Sequence, residues 1–433
     1  MSKYVRQEKS QRKHPITSSS TSIIKAPVDP TSIKGRPEWK GPGFTKKTPK
    51  QPSRPVPSSS ASTALNAQQN LLPIELQQLL LNIFRTTFPI CQDYEALKPT
   101  LQQIKDALSE RDFEKAFRCL DWMEAYVMRW SPSRALCYVA VLAELCEEFR
   151  EEEWIKCLFG DEGSDIEGST TSNGKFARQL NVVCFGGGAA EVMAFGAILR
   201  HVLSIAADIT TMRSPSLSEN RCSPSGSESS PFPPLLGLHL LDSTNWAPII
   251  SSLQFGLTTP PTLSRYASAS ARANNAPFLS PDILKASSQQ CNILEASQNE
   301  LVSMIGAEPG LITLFHTLND LLASSVAKCT AFLLKLTMAT PKDSLLLIID
   351  GLDSSSEIVV GKDDQGKEKK TYPMRYLLDM VLMEKQLSAI VDQKQSWERL
   401  VEDQSRCFRI PEGLKYPVGL ENVRFQVYLF KKL

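Results

Sequence analysis

Between Asn181 and Leu203 the chain passes from a short apolar run (Asn181-Val-Val-Cys-Phe185) through three consecutive glycines at 186–188 into a long stretch of helix formers starting at Ala189. Few architectures accept that order. A strand, a glycine turn and a helix in immediate succession form the opening unit of a nucleotide-binding α/β domain. Glycine permits the tight turn and leaves bare backbone at the helix N-terminus, where a ligand can lie against it. The turn departs from GxGxxG, and Glu191 stands where a dinucleotide fingerprint places its third glycine. The departure points to a ligand without a pyrophosphate.

The segments that follow repeat the theme. Leu235 to Asp242 reads as a hydrophobic strand ending in a carboxylate. In this fold class an acid at the tip of the second strand accepts hydrogen bonds from ribose hydroxyls. Capping of the next helix is the alternative role for Asp242, and the strand–acid order favours the ligand role. Pro281 to Leu284 is expected to close a third strand, with Asp282 either near an adenine or serving as a plain turn residue. Leu311–Phe315 and Ser344–Asp350 are further buried strands, and the first runs into His316-Thr-Leu-Asn-Asp320. Tyr376–Val401 reads as helix. Arg406–Ile410 and Asn422–Phe430 read as two closing strands, the second with alternating polarity. The fold class expected is α/β, a Rossmann-like parallel sheet finished by an antiparallel hairpin.

Charge is unevenly placed along the 433 residues. Met1 to Arg54 carries 13 Lys and Arg against Glu8, Asp29 and Glu38. Residues 1–69, rich in Ser, Pro and Lys, are expected to be a disordered basic tail, either a nuclear or nucleolar address or a loose RNA tether. Residues 70–160 show helical periodicity and are expected to form a helical domain that guides RNA, with a helix start at Ser131-Pro-Ser133 after Trp130. The aromatics Trp122, Tyr126, Trp130 and Tyr138 either face nucleic acid or fill a core; helical spacing favours the core. The polar stretch 160–177 marks a boundary, and 178–433 forms the α/β domain.

No run of about 18 apolar residues is evident, so no membrane partner is expected. The 10 cysteines include no CxxC pair, and the four histidines offer little for a metal site or a Ser-His-Asp triad. No metal is expected. Scattered thiols suit a reducing compartment, the nucleus (the nucleolus within it) or the cytoplasm.

Five blocks in order, VVCFGGGAAEVMAF, LHLLDSTNW, TLFHTLNDLL, SLLLIIDG and YPVGLENVRFQVYLF, resemble the fungal 25S rRNA uridine-N3-methyltransferase family over roughly residues 70–433. The resemblance implies a class I methyltransferase fold, S-adenosylmethionine as cofactor, and a uridine of large-subunit rRNA, within the ribosome or its precursor, as acceptor. By position it places Gly186, Gly187 and Gly188 beside the methionine part of the cofactor, Asp242 at the ribose, Asp282 at the adenine edge, and Asn319 with Asp320 at the reaction cleft.

Methylating uridine N3 requires a weakly acidic proton to leave, which calls for a base or an anion-stabilising donor. Asp320 is the candidate base and Asn319 the candidate donor to the uracil carbonyls; Asp350 and His316 are further candidates. Arg406, Arg409, Lys415 and Arg424 either offer phosphates a basic surface near the cleft or form a plain solvated face. The competing expectation is a non-catalytic ribosome-assembly factor on a degenerate methyltransferase fold. A nicotinamide oxidoreductase is disfavoured by the glycine pattern.

Overall fold

The structure is a computed structural model, and it describes residues 72–159, 179–213, 235–352, 357–360, 370–383 and 396–433. The basic segment 1–69 and the loop at 361–369 lie outside the described residues. The chain begins with helices α1 (Ile74–Thr87), α2 (Tyr94–Ser109), α3 (Phe113–Ala116), α4 (Leu120–Glu148) and α5 (Glu153–Phe159). The α/β part follows: β1 (Gln179–Phe185), α6 (Ala189–Arg213), β2 (Leu235–Asp242), α7 (Ala247–Thr258), α8 (Ala269–Ala273), β3 (Leu284–Gln290) and α9 (Gln298–Ile305). It continues with β4 (Leu311–Phe315), α10 (Leu318–Ser324), α11 (Val326–Ala339), β5 (Leu345–Gly351), β6 (Glu357–Val360), β7 (Lys370–Pro373) and α12 (Met374–Leu378). The last strands are β8 (Trp397–Phe408) and β9 (Val423–Lys432).

Seven strands form one sheet in the order β3-β2-β1-β4-β5-β9-β8, and β6 pairs with β7 in a separate ribbon. Pairing is parallel from β3 through β5; β9 then runs antiparallel to both β5 and β8. This is the expected Rossmann-like parallel sheet closed by an antiparallel hairpin. Strand order reverses at β1, which lies between β2 and β4. In open α/β sheets, ligands bind in the crevice that such a reversal opens at the strands' carboxyl ends.

Strand alternation divides the core in two. Val182 and Cys184 of β1, Leu345, Leu347 and Ile349 of β5, and Val427 and Leu429 of β9 face one side. Val183 and Phe185, Leu346 and Ile348, and Tyr428 and Phe430 face the other, against Leu318, Phe332 and Leu336 of α10 and α11. The first side is covered by α6 and α7 together with α1, α4 and α5, whose Leu80, Phe84, Tyr138, Leu142 and Trp154 join the same buried cluster. The 70–160 helices, expected as a domain apart, therefore share one core with the sheet. Residues 189–206 of α6 are long and apolar enough to span a bilayer, a stretch the sequence reading passed over. Two-thirds of that window is buried in this core.

Three boundaries differ from expectation. Helix α4 runs unbroken through Ser131-Pro132-Ser133. Proline leaves a carbonyl one turn back without its helical donor, and the Tyr416 hydroxyl donates to the Met128 carbonyl at 3.2 Å. Asp282 lies before β3, which begins only at Leu284. The helix expected to reach Val401 has given way to β8 by Trp397, a fully buried residue whose indole N–H donates to Thr337 Oγ1.

Candidate active site

Four strand ends meet at one cavity of about 620 Å³, lined by Gly186 and Gly188 after β1, Leu241–Thr244 around the end of β2, Cys291–Leu294 after β3, and Phe315–Thr317 around the end of β4. Its roof comes from the helical segment, through Phe117, Tyr126, Trp130, Arg134 and Tyr138. That volume suits a small-molecule ligand.

The glycine turn is dictated by its surroundings. Gly186 has φ +72°, and a Cβ there would stand 2.2 Å from Thr317 Oγ1. A Cβ at Gly187 would stand 2.5 Å from Cys184 Cβ. The Gly186 N–H donates to the Leu241 carbonyl at 2.7 Å, which ties the turn to the end of β2. The Gly188 N–H donates to Glu191 Oε2 at 2.8 Å. Glu191, noticed in the sequence only as a missing glycine, is thus the buried carboxylate in the cavity wall. Burial raises its pKa to about 7 against the pull of the Gly188 N–H and of Arg134.

Asp242 does not cap the helix that follows, whose N-cap is Trp246. Asp242 Oδ1 accepts the Thr244 N–H at 2.7 Å, shaping the turn after β2, while the residue lines the cavity. Burial raises its pKa, and hydrogen bonds around it, led by the Thr244 N–H, pull the other way. Asp282 is placed elsewhere: it is exposed and sits before β3, at the end of that strand away from the cavity. The position beside β3 that faces the cavity belongs to Asn292 and Ile293. The sequence hid this because Leu284–Gln290 is a largely polar strand at the sheet edge, with Ser and Gln where a buried strand would carry Val or Ile.

The pair expected at the cleft separates. Asn319 points into the protein, its N–H donating to Asp350 Oδ2 at 2.9 Å and its side-chain amide to Asp350 Oδ1 at 2.9 Å. Burial raises the Asp350 pKa to about 7, with the Asn319 and Gly351 N–H groups opposing. Asn319 and Asp350 therefore pin the start of α10 to the end of β5, and neither lines the cavity. Asp320, one residue on, does line it and stands 3.3 Å from Arg111 Nη1 across the mouth. Arg111 itself has φ 58°. His316 is part of the wall, with its N–H donating to the Ile349 carbonyl. Burial and the Arg134 charge hold its pKa down to about 3, so it is neutral at physiological pH.

Apart from Phe117, the roof residues come from one face of α4. Tyr126, Trp130, Arg134 and Tyr138 fall at four-residue steps, which align on a helix. Tyr126 contacts Trp130 and Trp246 with ring centroids 5.2 and 6.0 Å apart, and Tyr138 packs on Phe315 at 4.5 Å. The spacing that suggested a plain core also builds a cavity wall; an arginine among the aromatics was the overlooked signal. Of the basic residues expected near the cleft, Arg406 is engaged with Glu144 and Asp403, and none of Arg406, Arg409, Lys415 and Arg424 lines the cavity.

These donors fit S-adenosylmethionine. The glycine turn, which a Cβ would obstruct, offers a close approach at β1, and Asp242 offers a carboxylate for ribose hydroxyls. Asn292 and Ile293 offer the wall for an adenine. The family match agrees. Residues 84–431 match a family described as "Putative SAM-dependent methyltransferase". The chain is similar to the Saccharomyces cerevisiae protein named "25S rRNA (uridine(2843)-N(3))-methyltransferase", 26% identical over 384 residues, 87% of this chain and 90% of the relative. Among solved structures it matches a SAM-dependent methyltransferase from Methanosarcina mazei at 7% identity and TM-score 0.28, covering 60% of this chain and 94% of that one. It also matches the antibiotic-resistance methyltransferase Kmr at 10% identity and TM-score 0.29, covering 59% of this chain and 87% of that one. By the family match, which runs from the last turn of α1 through the sheet to β9, this chain belongs to a family of S-adenosylmethionine-dependent methyltransferases.

Proposed function

We propose that the protein methylates N3 of a uridine in large-subunit rRNA, within the ribosome or its precursor. The observation that carries this reading is the similarity to the yeast uridine-N3 methyltransferase over 87% of this chain and 90% of that protein's length. The cavity's aromatic roof accords with it. Phe117, Tyr126, Trp130 and Trp246 lie along the cavity wall, and aromatic faces accept a base taken out of its stack.

Bound S-adenosylmethionine supplies a methyl group activated by its sulfonium. The chain's residues orient the reactants, exclude water and manage the N3 proton. Asp320 is the carboxylate at the mouth, and Arg111 beside it can hold it in place or take an RNA phosphate. Neutral His316 is a hydrogen-bonding wall residue in this scheme. Asn319 acts indirectly, by fixing the helix that carries Asp320. The basic segment Met1–Arg54 suits a nuclear or nucleolar site of action, though work on cytoplasmic ribosomes would use the same chemistry.

The test is genetic and chemical. Deleting the gene should remove one N3-methyluridine from large-subunit rRNA, read by mass spectrometry of nuclease digests. Restoring the wild-type gene should return it, and Asp242→Ala should not. If every N3-methyluridine survives deletion, the substrate assignment falls, and a non-catalytic assembly role takes its place.

A further inference from the structure

Two ionisable groups of opposite kind sit in the cavity wall without pairing with each other. Arg134, on the roof helix α4, donates from Nη1 to the Tyr126 hydroxyl at 2.6 Å. No carboxylate lies within ion-pairing distance of it among the described residues. Glu191, on the first turn of α6, is 4% exposed and accepts the Gly188 N–H through Oε2, with no Lys or Arg within pairing distance among the described residues. Both residues line the cavity that the glycine turn opens. Arginine stays charged at any pH the protein meets. A charge taken out of water is costly unless something complementary meets it. A buried cation and a buried carboxylate held near each other but apart are complementary to a ligand carrying both charges on one small group.

We propose that Arg134 and Glu191 together hold the zwitterionic amino-acid end of the cofactor, the guanidinium on its carboxylate and the Glu191 carboxylate on its ammonium. The assignment rests on the chain's being an S-adenosylmethionine-dependent methyltransferase and is independent of the RNA substrate. It gives the helical segment a direct part in cofactor binding, because α4 supplies a cation where, among the described residues, the α/β part places no Lys or Arg in the cavity wall. The charges balance as well. Arg134 against Glu191 and Asp242 leaves one net negative charge, and S-adenosylmethionine carries one net positive charge through sulfonium, ammonium and carboxylate. The same balance disfavours a phosphate-bearing ligand. Lys105 and the Arg111–Asp320 pair also line or flank the cavity, nearer its mouth.

A protonation change follows. The groups that act on Glu191 are Arg134, Tyr126 and Tyr138 from α4, Asp242 from β2, Cys184 from β1 and the Gly188 N–H. An ammonium brought beside Glu191 favours its charged form, so binding near neutral pH releases a proton.

Calorimetry on the full chain tests the assignment with S-adenosylhomocysteine, its decarboxylated analogue and 5′-methylthioadenosine, which lacks the amino-acid group. The wild type should bind S-adenosylhomocysteine roughly 10- to 100-fold more tightly than the decarboxylated analogue. Arg134→Gln should erase that difference and leave 5′-methylthioadenosine binding unchanged; Arg134→Lys should restore part of it. Titration in two buffers of different ionisation enthalpy should show proton release, lost in Glu191→Gln. Equal wild-type affinity for S-adenosylhomocysteine and its decarboxylated analogue overturns the proposal without recourse to any variant. So does an Arg134→Gln protein that binds S-adenosylhomocysteine normally yet no longer transfers methyl groups, which would assign Arg134 to the acceptor base. If the wild type binds none of the three ligands, the cofactor assignment itself fails.

Discussion

Gly186 and Asn319 show what one residue reveals before the fold is known. Gly186 was legible because its demand is local: a positive φ between a strand and a helix points to glycine in almost any protein. Asn319 was misjudged because its partner, Asp350, lies 31 residues away and arrives only when β5 pairs beside β4. Arg134 was missed for the same reason, since a helical stripe does not say whether it faces a core or a cavity. Glu191 gives a prediction at this scale. Its folded pKa of about 7 lies above the ordinary 4.5. The stability it contributes is therefore whole below about pH 4.5 and is lost as pH rises through 7, because the folded state binds the extra proton. The His316 effect has the opposite sign, costing stability as pH falls from 6.5 towards 3, but it is common to the wild type and a Glu191 variant. Wild type should thus lose on the order of 2–3 kcal/mol relative to Glu191→Gln between pH 4.5 and 8. Urea unfolding of both proteins across that range measures it, and a constant difference would refute the shift.

At the scale of elements, apolar strands were read well and polar or interrupted elements poorly. β1, β2, β4, β5 and β9 carry runs of Val, Leu and Ile that periodicity recognises. β3 is polar, and its edge position explains why that is tolerated. α4 was split at Pro132 because a proline after a serine resembles a helix start. The helix survives because the loop between β8 and β9 supplies what proline removes. Tyr416 donates to the Met128 carbonyl, and the Glu421 N–H donates to Ser133 Oγ at 3.0 Å. Glu421 also pairs with Arg129 on the same helix. Since α4 carries the cavity roof, this loop indirectly positions Tyr126, Trp130 and Arg134. Tyr416→Phe should cost about 1–2 kcal/mol by leaving a carbonyl without its donor. The cost should shrink in a Pro132→Ala background, where residue 132 regains an N–H for the same carbonyl. A double-mutant cycle by denaturant unfolding reads the coupling. Additive effects would show that the hydroxyl and the proline act separately.

On the scale of the whole molecule, strand and helix alternation between 181 and 430 was enough to give the sheet and its closing hairpin, because each element's periodicity states which faces are buried. The partition between 70–160 and 178–433 was not legible, because periodicity shows that a helix has an apolar face without naming what covers it. Here the covering surface is α6, which lies between these helices and the sheet. Leu136, Val139, Ala140 and Ala143 of α4 share a buried cluster with Val192, Phe195 and Leu199 of α6, and Trp154 of α5 donates its indole N–H to the Asn181 carbonyl of β1 at 3.3 Å. Removing residues 1–177 would strip one layer from a two-sided core and expose α6, the most apolar long helix described, to water. It would also remove Tyr126, Trp130 and Arg134 from the cavity. At about 25 cal/mol per Å² of apolar surface, exposing several hundred Å² costs on the order of 10 kcal/mol, comparable to the entire stability of a domain. The 178–433 fragment should therefore fail to melt cooperatively, bind a hydrophobic dye and bind no S-adenosylhomocysteine, whereas a 70–433 fragment should do the reverse on all three counts. Calorimetry, dye fluorescence and ligand titration compare them directly, and a 178–433 fragment that melts sharply and binds the ligand would show the helices to be a separable domain.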